Sequence, residues 1–112
     1  MAYKVWLDNN GKAFGEGPYQ LLKLIEATGS LHQAAKDMKM SYRKAWTTLK
    51  AIELKLGFPL LQRKVGGVAG GGSHITESGY NLMRHYEEFR LEVAETLEKI
   101  YQKHFGHGAD AS

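Results

Sequence analysis

Apolar residues recur at helical spacing in four segments of the chain, and short alternating stretches precede them. The first helical segment follows Pro18, which suits the first turn of a helix, and ends at Gly29, which suits a C-cap. The second segment, "SLHQAAKDM", opens with Ser30 and Gln33 at the spacing of a capping box and is expected to end near Lys39. Ahead of both, "YKVWLD" and "KAFGEG" flank the turn signal "NNG" and predict a pair of short strands.

The third segment predicts a basic, amphipathic helix. Ser41 is an N-cap candidate for "YRKAWTTLKAIELKL", and a single apolar stripe, predicted to be buried, runs along that helix through Ala45, Leu49, Ile52 and Leu56. Two short helices joined by a tight turn, the second one basic, indicate a helix-turn-helix. An ordinary helical hairpin is the alternative interpretation of the same pattern.

Positive charge is concentrated in the middle third of the chain. The net charge is only +3, but residues 31–65 hold eight basic and two acidic groups, whereas residues 77–103 hold six acidic and four basic groups. Such a concentration favours a polyanionic partner, and double-stranded DNA is the leading candidate. A solvated basic surface without a partner is the alternative.

The glycine-rich stretch "RKVGGVAGGGSHIT" requires its own interpretation. A phosphate-binding P-loop needs a Lys-Ser/Thr pair directly after the second glycine, and here Ser73-His74 follows instead. Strand-like sequence flanks the glycines, so the pattern predicts a β-hairpin placed after the helix-turn-helix, which is a wing. Arg63 and Lys64 at its base are expected to meet phosphate or the minor groove. The predicted wing loop contains Gly66, Gly67, Gly70, Gly71 and Gly72, which would let the tip approach another molecule's backbone.

The fourth segment predicts a long helix over about 78–103, capped by Thr76 or Ser78. Its apolar positions approximate a heptad seam, and such a stripe is longer than a small core can cover. The simplest cover is the same helix of a second subunit, so we expect a homodimer. The residues expected to form the contact are Leu82, Tyr86, Phe89, Val93, Leu97 and Ile100.

Residues 29–79 resemble a known family. The stretches "SYRKAW" and "GGVAGGGSHIT" are similar to the N-terminal DNA-binding domain of ModE-type, molybdate-responsive transcription regulators, and "LGFPLLQR" and "ITESG" to the wider LysR-like group. The resemblance implies a mainly α fold with a small β component, namely a winged helix-turn-helix domain over residues 1–103. Its long C-terminal dimerisation helix is expected over about 78–103. Residues 104–112 are expected to be a disordered tail.

The resemblance and the charge pattern both place the DNA-reading surface on the third helix. Arg43 suits guanine, Thr47 suits thymine, and Lys50 suits either base or phosphate. Trp46 stays open between a core position and a DNA contact. The full set of expected DNA-binding residues is Ser41, Tyr42, Arg43, Lys44, Trp46, Thr47, Lys50, Arg63 and Lys64.

The sequence ends at Ser112, so the family's molybdate-binding C-terminal region is expected to be absent. The protein then binds DNA constitutively, responds through a separate effector protein, or is part of a longer chain. No cofactor is expected. An enzyme is disfavoured because the carboxylates of the last helix are spaced as a solvated face.

Metal binding through His104, His107 and Asp110 is an unfavoured alternative, because the segment looks disordered. The absence of cysteine, of a signal peptide and of a long apolar run fits a cytoplasmic protein. The rival function is a winged helix that contacts only proteins.

Overall fold

The computed structural model describes residues 6–8, 12–63 and 72–106. Two short strands come first, β1 (Trp6–Asp8) and β2 (Lys12–Gly15). They pair antiparallel, with Leu7 opposite Phe14 and an irregularity between Leu7 and Asp8. The predicted strand pair is therefore confirmed over these residues, and Tyr3 and Val5 of the first predicted strand lie outside the described part.

Three helices follow: α1 (Glu16–Thr28), α2 (Leu31–Asp37) and α3 (Tyr42–Leu56). The first and third end at glycines with left-handed backbone angles, Gly29 (φ 71°) and Gly57 (φ 84°), as the sequence predicts for Gly29. Ser41 caps α3, because its Oγ accepts from the backbone N–H of Lys44 at 3.0 Å.

The capping box predicted at the start of α2 forms only in part. Ser30 Oγ accepts from the backbone N–H of Gln33 at 3.0 Å. The Gln33 side chain donates to Asp37 instead, at 2.8 Å, and the backbone N–H of Ser30 donates to Thr28 Oγ1 at 3.2 Å. The reciprocal bond of the motif is therefore replaced by two local ones, and α2 is still capped.

Strands β3 (Leu61–Arg63) and β4 (Ser73–Ile75) pair antiparallel, with Leu61 opposite Ile75 and Gln62 opposite His74. This confirms the hairpin predicted after the helix-turn-helix at its base. Thr76 joins its two ends: its backbone N–H donates to the Leu60 carbonyl at 3.0 Å, and its hydroxyl donates to the Pro59 carbonyl at 2.7 Å.

The last helix is α4 (Glu77–Tyr101), and Thr76 caps it by accepting from the backbone N–H of Gly79 at 2.9 Å. A π-helical turn, Gln102–Gly106, continues it. The predicted start of a disordered tail at residue 104 thus falls inside a helical turn, and residues 107–112 lie outside the described part. Of the described helices, none is long and apolar enough to cross a membrane.

The core lies where α1, α2 and α3 meet β2, the hairpin and the first half of α4. Helices α2 and α3 contribute three small residues to this core: Ala34 and Ala45 are fully buried and Ala35 is 1% exposed. The largest fully buried side chains around them are Tyr86, Phe14, Leu21, Leu22, Ile25 and Leu60. The predicted winged helix-turn-helix fold with a long C-terminal helix is confirmed.

Four side chains fasten α4 to the start of α1. Arg90 Nη1 donates to both carboxylate oxygens of Glu16, at 2.7 and 2.8 Å. The same guanidinium lies over the ring of Tyr19, 4.8 Å from its centroid, and the Tyr86 ring lies 5.7 Å away. We call Glu16, Tyr19, Tyr86 and Arg90 the α1–α4 clamp.

The clamp shifts the protonation of its members in directions that hold it together. Partial burial alone would raise the pKa of Glu16, but hydrogen bonds from Gln20 and Arg90 outweigh it and keep that pKa below its ordinary value. Burial, with a hydrogen bond to the Glu87 carboxylate, raises the pKa of Tyr19 to about 12. The Glu16–Arg90 ion pair and the neutral Tyr19 phenol therefore persist at neutral pH.

The clamp predicts that Arg90→Gln lowers the free energy of unfolding by about 1 kcal/mol, the ion pair being partly screened by solvent and the cation–π contact adding a comparable amount. Urea unfolding followed by circular dichroism measures the change. Arg84→Gln is the matched control, because Arg84 is exposed on the same helix and bonds only locally to Asn81. Equal losses in the two variants would contradict a role for the clamp.

Candidate nucleic-acid interface

The outer face of α3 carries the residues expected to read DNA. Arg43, Thr47 and Lys50 are four and three residues apart, so they share one face of the helix, and all three are exposed. The opposite face, through Ala45 and Leu49, is buried. The buried stripe thus turns the basic, hydrogen-bonding face toward solvent.

The beginning of α3 presents the next group of expected contacts. Ser41 is exposed, and its hydroxyl keeps one donor after accepting from Lys44. Tyr42 is partly buried, and its ring stacks on the imidazole of His32, with 3.8 Å between centroids and an angle of 8°. Lys44 is exposed on the flank of the helix. Polar groups therefore surround the end of α3 that is nearest the helix-turn-helix turn.

Trp46 does not lie in the core, since 44% of it is exposed. This removes the core position that the sequence left open for it. The ammonium of Lys50 lies 5.6 Å from the Trp46 ring centroid and 3.2 Å from Glu53 Oε1. The Lys50 side chain stays 52% exposed, so it can exchange or share these partners with a polyanion.

Glu53 is a positioning residue that the sequence did not reveal. Its Oε2 accepts the backbone N–H of Leu60 at 2.7 Å and that of Leu61 at 3.3 Å, while Oε1 pairs with Lys50. The side chain is only 13% exposed. Glu53 therefore ties the start of the wing to α3. Its signal in the sequence is a single acidic residue inside the basic segment 42–56.

The wing is also anchored to the turn between α1 and α2. The backbone N–H of Ser73 donates to the Gly29 carbonyl at 3.0 Å, and a Cβ on Gly72 would lie 2.8 Å from that same oxygen. Gly72 is therefore needed for a close approach within the chain, and the approach to another molecule expected of the wing glycines stays a prediction. Lys64 and the glycines 66, 67, 70 and 71 lie outside the described part, as does the Arg63 side chain.

A small cavity separates α3 from the wing. Its volume is about 160 Å³; Tyr42, Trp46 and Lys50 line one side, and Leu61 and Ser73 the other. The described base of the wing is thus held beside α3 by hydrogen bonds to Glu53 and to the Gly29 carbonyl.

The residues expected to form a dimer divide into two groups. Tyr86 is 1% exposed and Leu82 packs partly against the core, so these two cover the chain's own interior. This corrects the prediction for Tyr86. Phe89 (42% exposed) and Ile100 (49% exposed) remain open to solvent, and Val93 and Leu97 between them are half-buried. Beyond Arg90 no described residue of α4 is buried.

Within the described part of the chain, no group of three or more His, Asp or Glu side chains is arranged to hold a metal ion. His104 is described in the π-helical turn, whereas His107 and Asp110 of the metal-binding alternative lie outside the described residues. The two acidic residues of the basic region are both engaged: Asp37 accepts from Gln33, and Glu53 from the wing and Lys50.

The geometry agrees with comparisons to known proteins. The family model of bacterial regulatory helix-turn-helix proteins of the lysR family matches residues 19–79, from α1 through the wing to the start of α4. The chain belongs to the LysR family of bacterial regulatory helix-turn-helix proteins. Its matched region contains every described residue of the candidate interface on α3.

Relatives of this LysR-family chain include ModE proteins. It is 43% identical over 68 residues to the transcriptional regulator ModE of Haemophilus influenzae, which covers 61% of the chain and 27% of that protein. It is 34% identical over 96 residues to the molybdenum-pterin-binding protein MopB of Rhodobacter capsulatus, covering 86% of the chain and 36% of that protein. The resemblance to ModE-type regulators is confirmed, and the chain spans about a third of the length of these relatives.

Solved structures of LysR-family proteins share the fold. The crystal structure of the CbnR_DBD-DNA complex superposes with a TM-score of 0.57 at 21% identity, covering 78% of this chain and 93% of that one. The LysR-family regulator VV2_1132 superposes with a TM-score of 0.59 at 18% identity, covering 88% of this chain and 31% of that one.

The wing anchor predicts that Glu53→Ala lowers the free energy of unfolding by roughly 1–3 kcal/mol, because the N–H of the fully buried Leu60 loses its acceptor. Thermal and urea unfolding measure the loss. Lys50→Ala is the control, since it keeps both backbone bonds of Glu53 and removes only the exposed ion pair and the cation–π contact with Trp46, each of which contributes at most about 1 kcal/mol. A Lys50→Ala loss as large as that of Glu53→Ala would contradict the anchor.

Proposed function

We propose that this chain is a sequence-specific, double-stranded DNA-binding transcriptional regulator that acts as a homodimer in the cytoplasm. The observation that carries the proposal is the exposed face of α3, on which Arg43, Thr47 and Lys50 stand opposite the buried Ala45, Leu49 and Ile52, while Leu56 at the end of the stripe is only partly buried. Membership of the LysR family supports it. One structural neighbour, CbnR_DBD, was itself crystallised as a complex with DNA.

The proposed mechanism divides the work between base and phosphate contacts. The N-terminal half of α3 enters the major groove, where Arg43 donates to guanine O6 and N7 and the Thr47 methyl meets thymine. Ser41, Tyr42 and Lys44 position the helix on phosphates. Trp46 and Lys50 of α3 line the cavity between this helix and the wing. Arg63 and Lys64 of the wing are proposed to meet the neighbouring DNA backbone.

A protein-contact module is the rival function, and it predicts an apolar outer face on α3. That face carries Arg43, Thr47 and Lys50 instead. Two large apolar side chains of α3 are also exposed, Trp46 (44%) beside this face and Leu54 (85%) near its C-terminal end. The polar and basic residues from Arg43 to Lys50 favour DNA as the partner of this face.

Dimerisation is proposed to use the second half of α4. From Arg90 onward this helix runs beyond the chain's own core, and it carries a continuous apolar line through Phe89, Val93, Leu97 and Ile100. The same line of a second copy is its simplest cover. Such a dimer would present two α3 helices to half-sites about 34 Å apart, or a multiple of that distance.

Selection of bound duplexes from a random pool is expected to recover a two-fold symmetric motif. Affinity for that motif should fall log-linearly with salt, because lysines and arginines displace counterions. Arg43→Ala should relax preference at one base pair by roughly 1–3 kcal/mol. Lys23→Ala, which removes an equal charge from α1, should leave the motif unchanged. A wild-type protein that ignores duplex DNA in dilute buffer would refute the function.

The dimer predicts that Leu97→Glu converts the protein to a monomer, because a carboxylate in the apolar line would be desolvated without a partner. Sedimentation velocity measures the mass, and circular dichroism confirms that the helices persist. Glu95→Lys, on the opposite face of α4, should remain dimeric. Sedimentation of the wild type as a monomer at tens of micromolar would exclude this interface.

A further inference from the structure

The starts of α2 and α3 are joined by a ring stack that the charge pattern does not account for. The imidazole of His32, the second residue of α2, lies parallel to the phenol ring of Tyr42, the first residue of α3. Their centroids are 3.8 Å apart and the rings are inclined by 8°. The contact therefore bridges the two helices of the helix-turn-helix at the end where α3 would enter the groove.

The backbone on both sides of the stack is already fixed. Ser30 and Ser41 cap their helices with bonds of 3.0 Å each, and the turn between them is closed by a bond of 3.0 Å from the Met40 N–H to the Ala35 carbonyl. The Tyr42 side chain is partly buried and packs against the core. The parallel ring of His32, at van der Waals distance, adds a further restriction on its rotation.

We propose that His32 is a positioning residue for DNA binding: it holds the Tyr42 ring in the orientation from which its hydroxyl donates to a phosphate. The inference rests on the proposed function, in which Tyr42 contacts the DNA backbone. Ordering a rotatable side chain at an interface ordinarily costs about two- to tenfold in affinity. Because the stack already orders the Tyr42 side chain in the free protein, that cost does not reduce the affinity for DNA.

The position of His32 makes this role separable from folding. His32 is exposed and lies outside the buried core, whereas its neighbour Leu31 is 6% exposed and belongs to it. Removing the imidazole leaves the core and both caps in place. Replacing it with phenylalanine keeps a flat ring beside Tyr42 and removes the two ring nitrogens.

The test compares affinities for the selected DNA duplex at pH 8, measured by fluorescence anisotropy. We expect His32→Ala to weaken binding by about two- to tenfold and His32→Phe to restore it to within about twofold. In a Tyr42→Phe background, where no hydroxyl remains to be positioned, His32→Ala should have no further effect. His85→Ala, which removes an exposed histidine from α4, is the control and should bind like the wild type.

Three results would overturn the inference while leaving the proposed function intact. They are wild-type affinity in His32→Ala, a loss in His32→Phe as large as in His32→Ala, and an undiminished His32→Ala loss in the Tyr42→Phe background. The second and third would mean that the imidazole acts on DNA itself. Failure of the wild type to bind any duplex would refute the proposed function, and the inference would fall with it.

Discussion

Three alanines of α2 and α3 are buried in the core, and the placement of α3 depends on their small size. Ala34, Ala35 and Ala45 are each at most 1% exposed, so the core leaves no room for a larger side chain at these positions. A larger side chain at any of these positions would force the helices apart in a core packed at crystal-like density. The exposed face of α3 would then turn relative to the wing. The packing of the buried side of α3 therefore sets the direction in which Arg43 and Lys50 point.

Anchors at both ends of the wing keep it in register with that face. Glu53 holds the start of the wing by two backbone N–H groups, and the Gly29 carbonyl holds its end through Ser73. The first anchor starts from α3 and the second from the α1–α2 turn. The wing thus connects α3 to the turn between α1 and α2. Glu53 is a negative charge within a basic segment, but its carboxylate is fully engaged by two backbone N–H groups and by Lys50.

The helices and their caps could be predicted because the determining residues are local. Ser41 and Thr76 cap the helices that follow them, and the stripe from Ala45 to Ile52 is buried as its spacing indicates. The contacts that were missed join residues far apart in sequence: Arg90 to Glu16, Glu53 to Leu60, and His32 to Tyr42. Periodicity carries no signal for such pairs. The prediction that Tyr86 lies in a dimer contact was wrong because the apolar line on α4 is continuous in sequence. Its first part packs in the chain's own core, and the part from Phe89 onward is not buried.

The α1–α4 clamp lies near the point where the core ends, and α4 continues from Arg90 to Tyr101 and into the turn at Gly106. The part of α4 beyond the clamp, residues 91–101, extends about 16 Å at the rise of an α-helix. The segment is therefore a lever with its pivot at Glu16 and Arg90. In the proposed homodimer, a slight tilt at the clamp would be amplified at the far end of this segment and would alter the separation of the two α3 helices. The half-site spacing that the proposed homodimer spans would then depend on a contact made away from α3 and the wing.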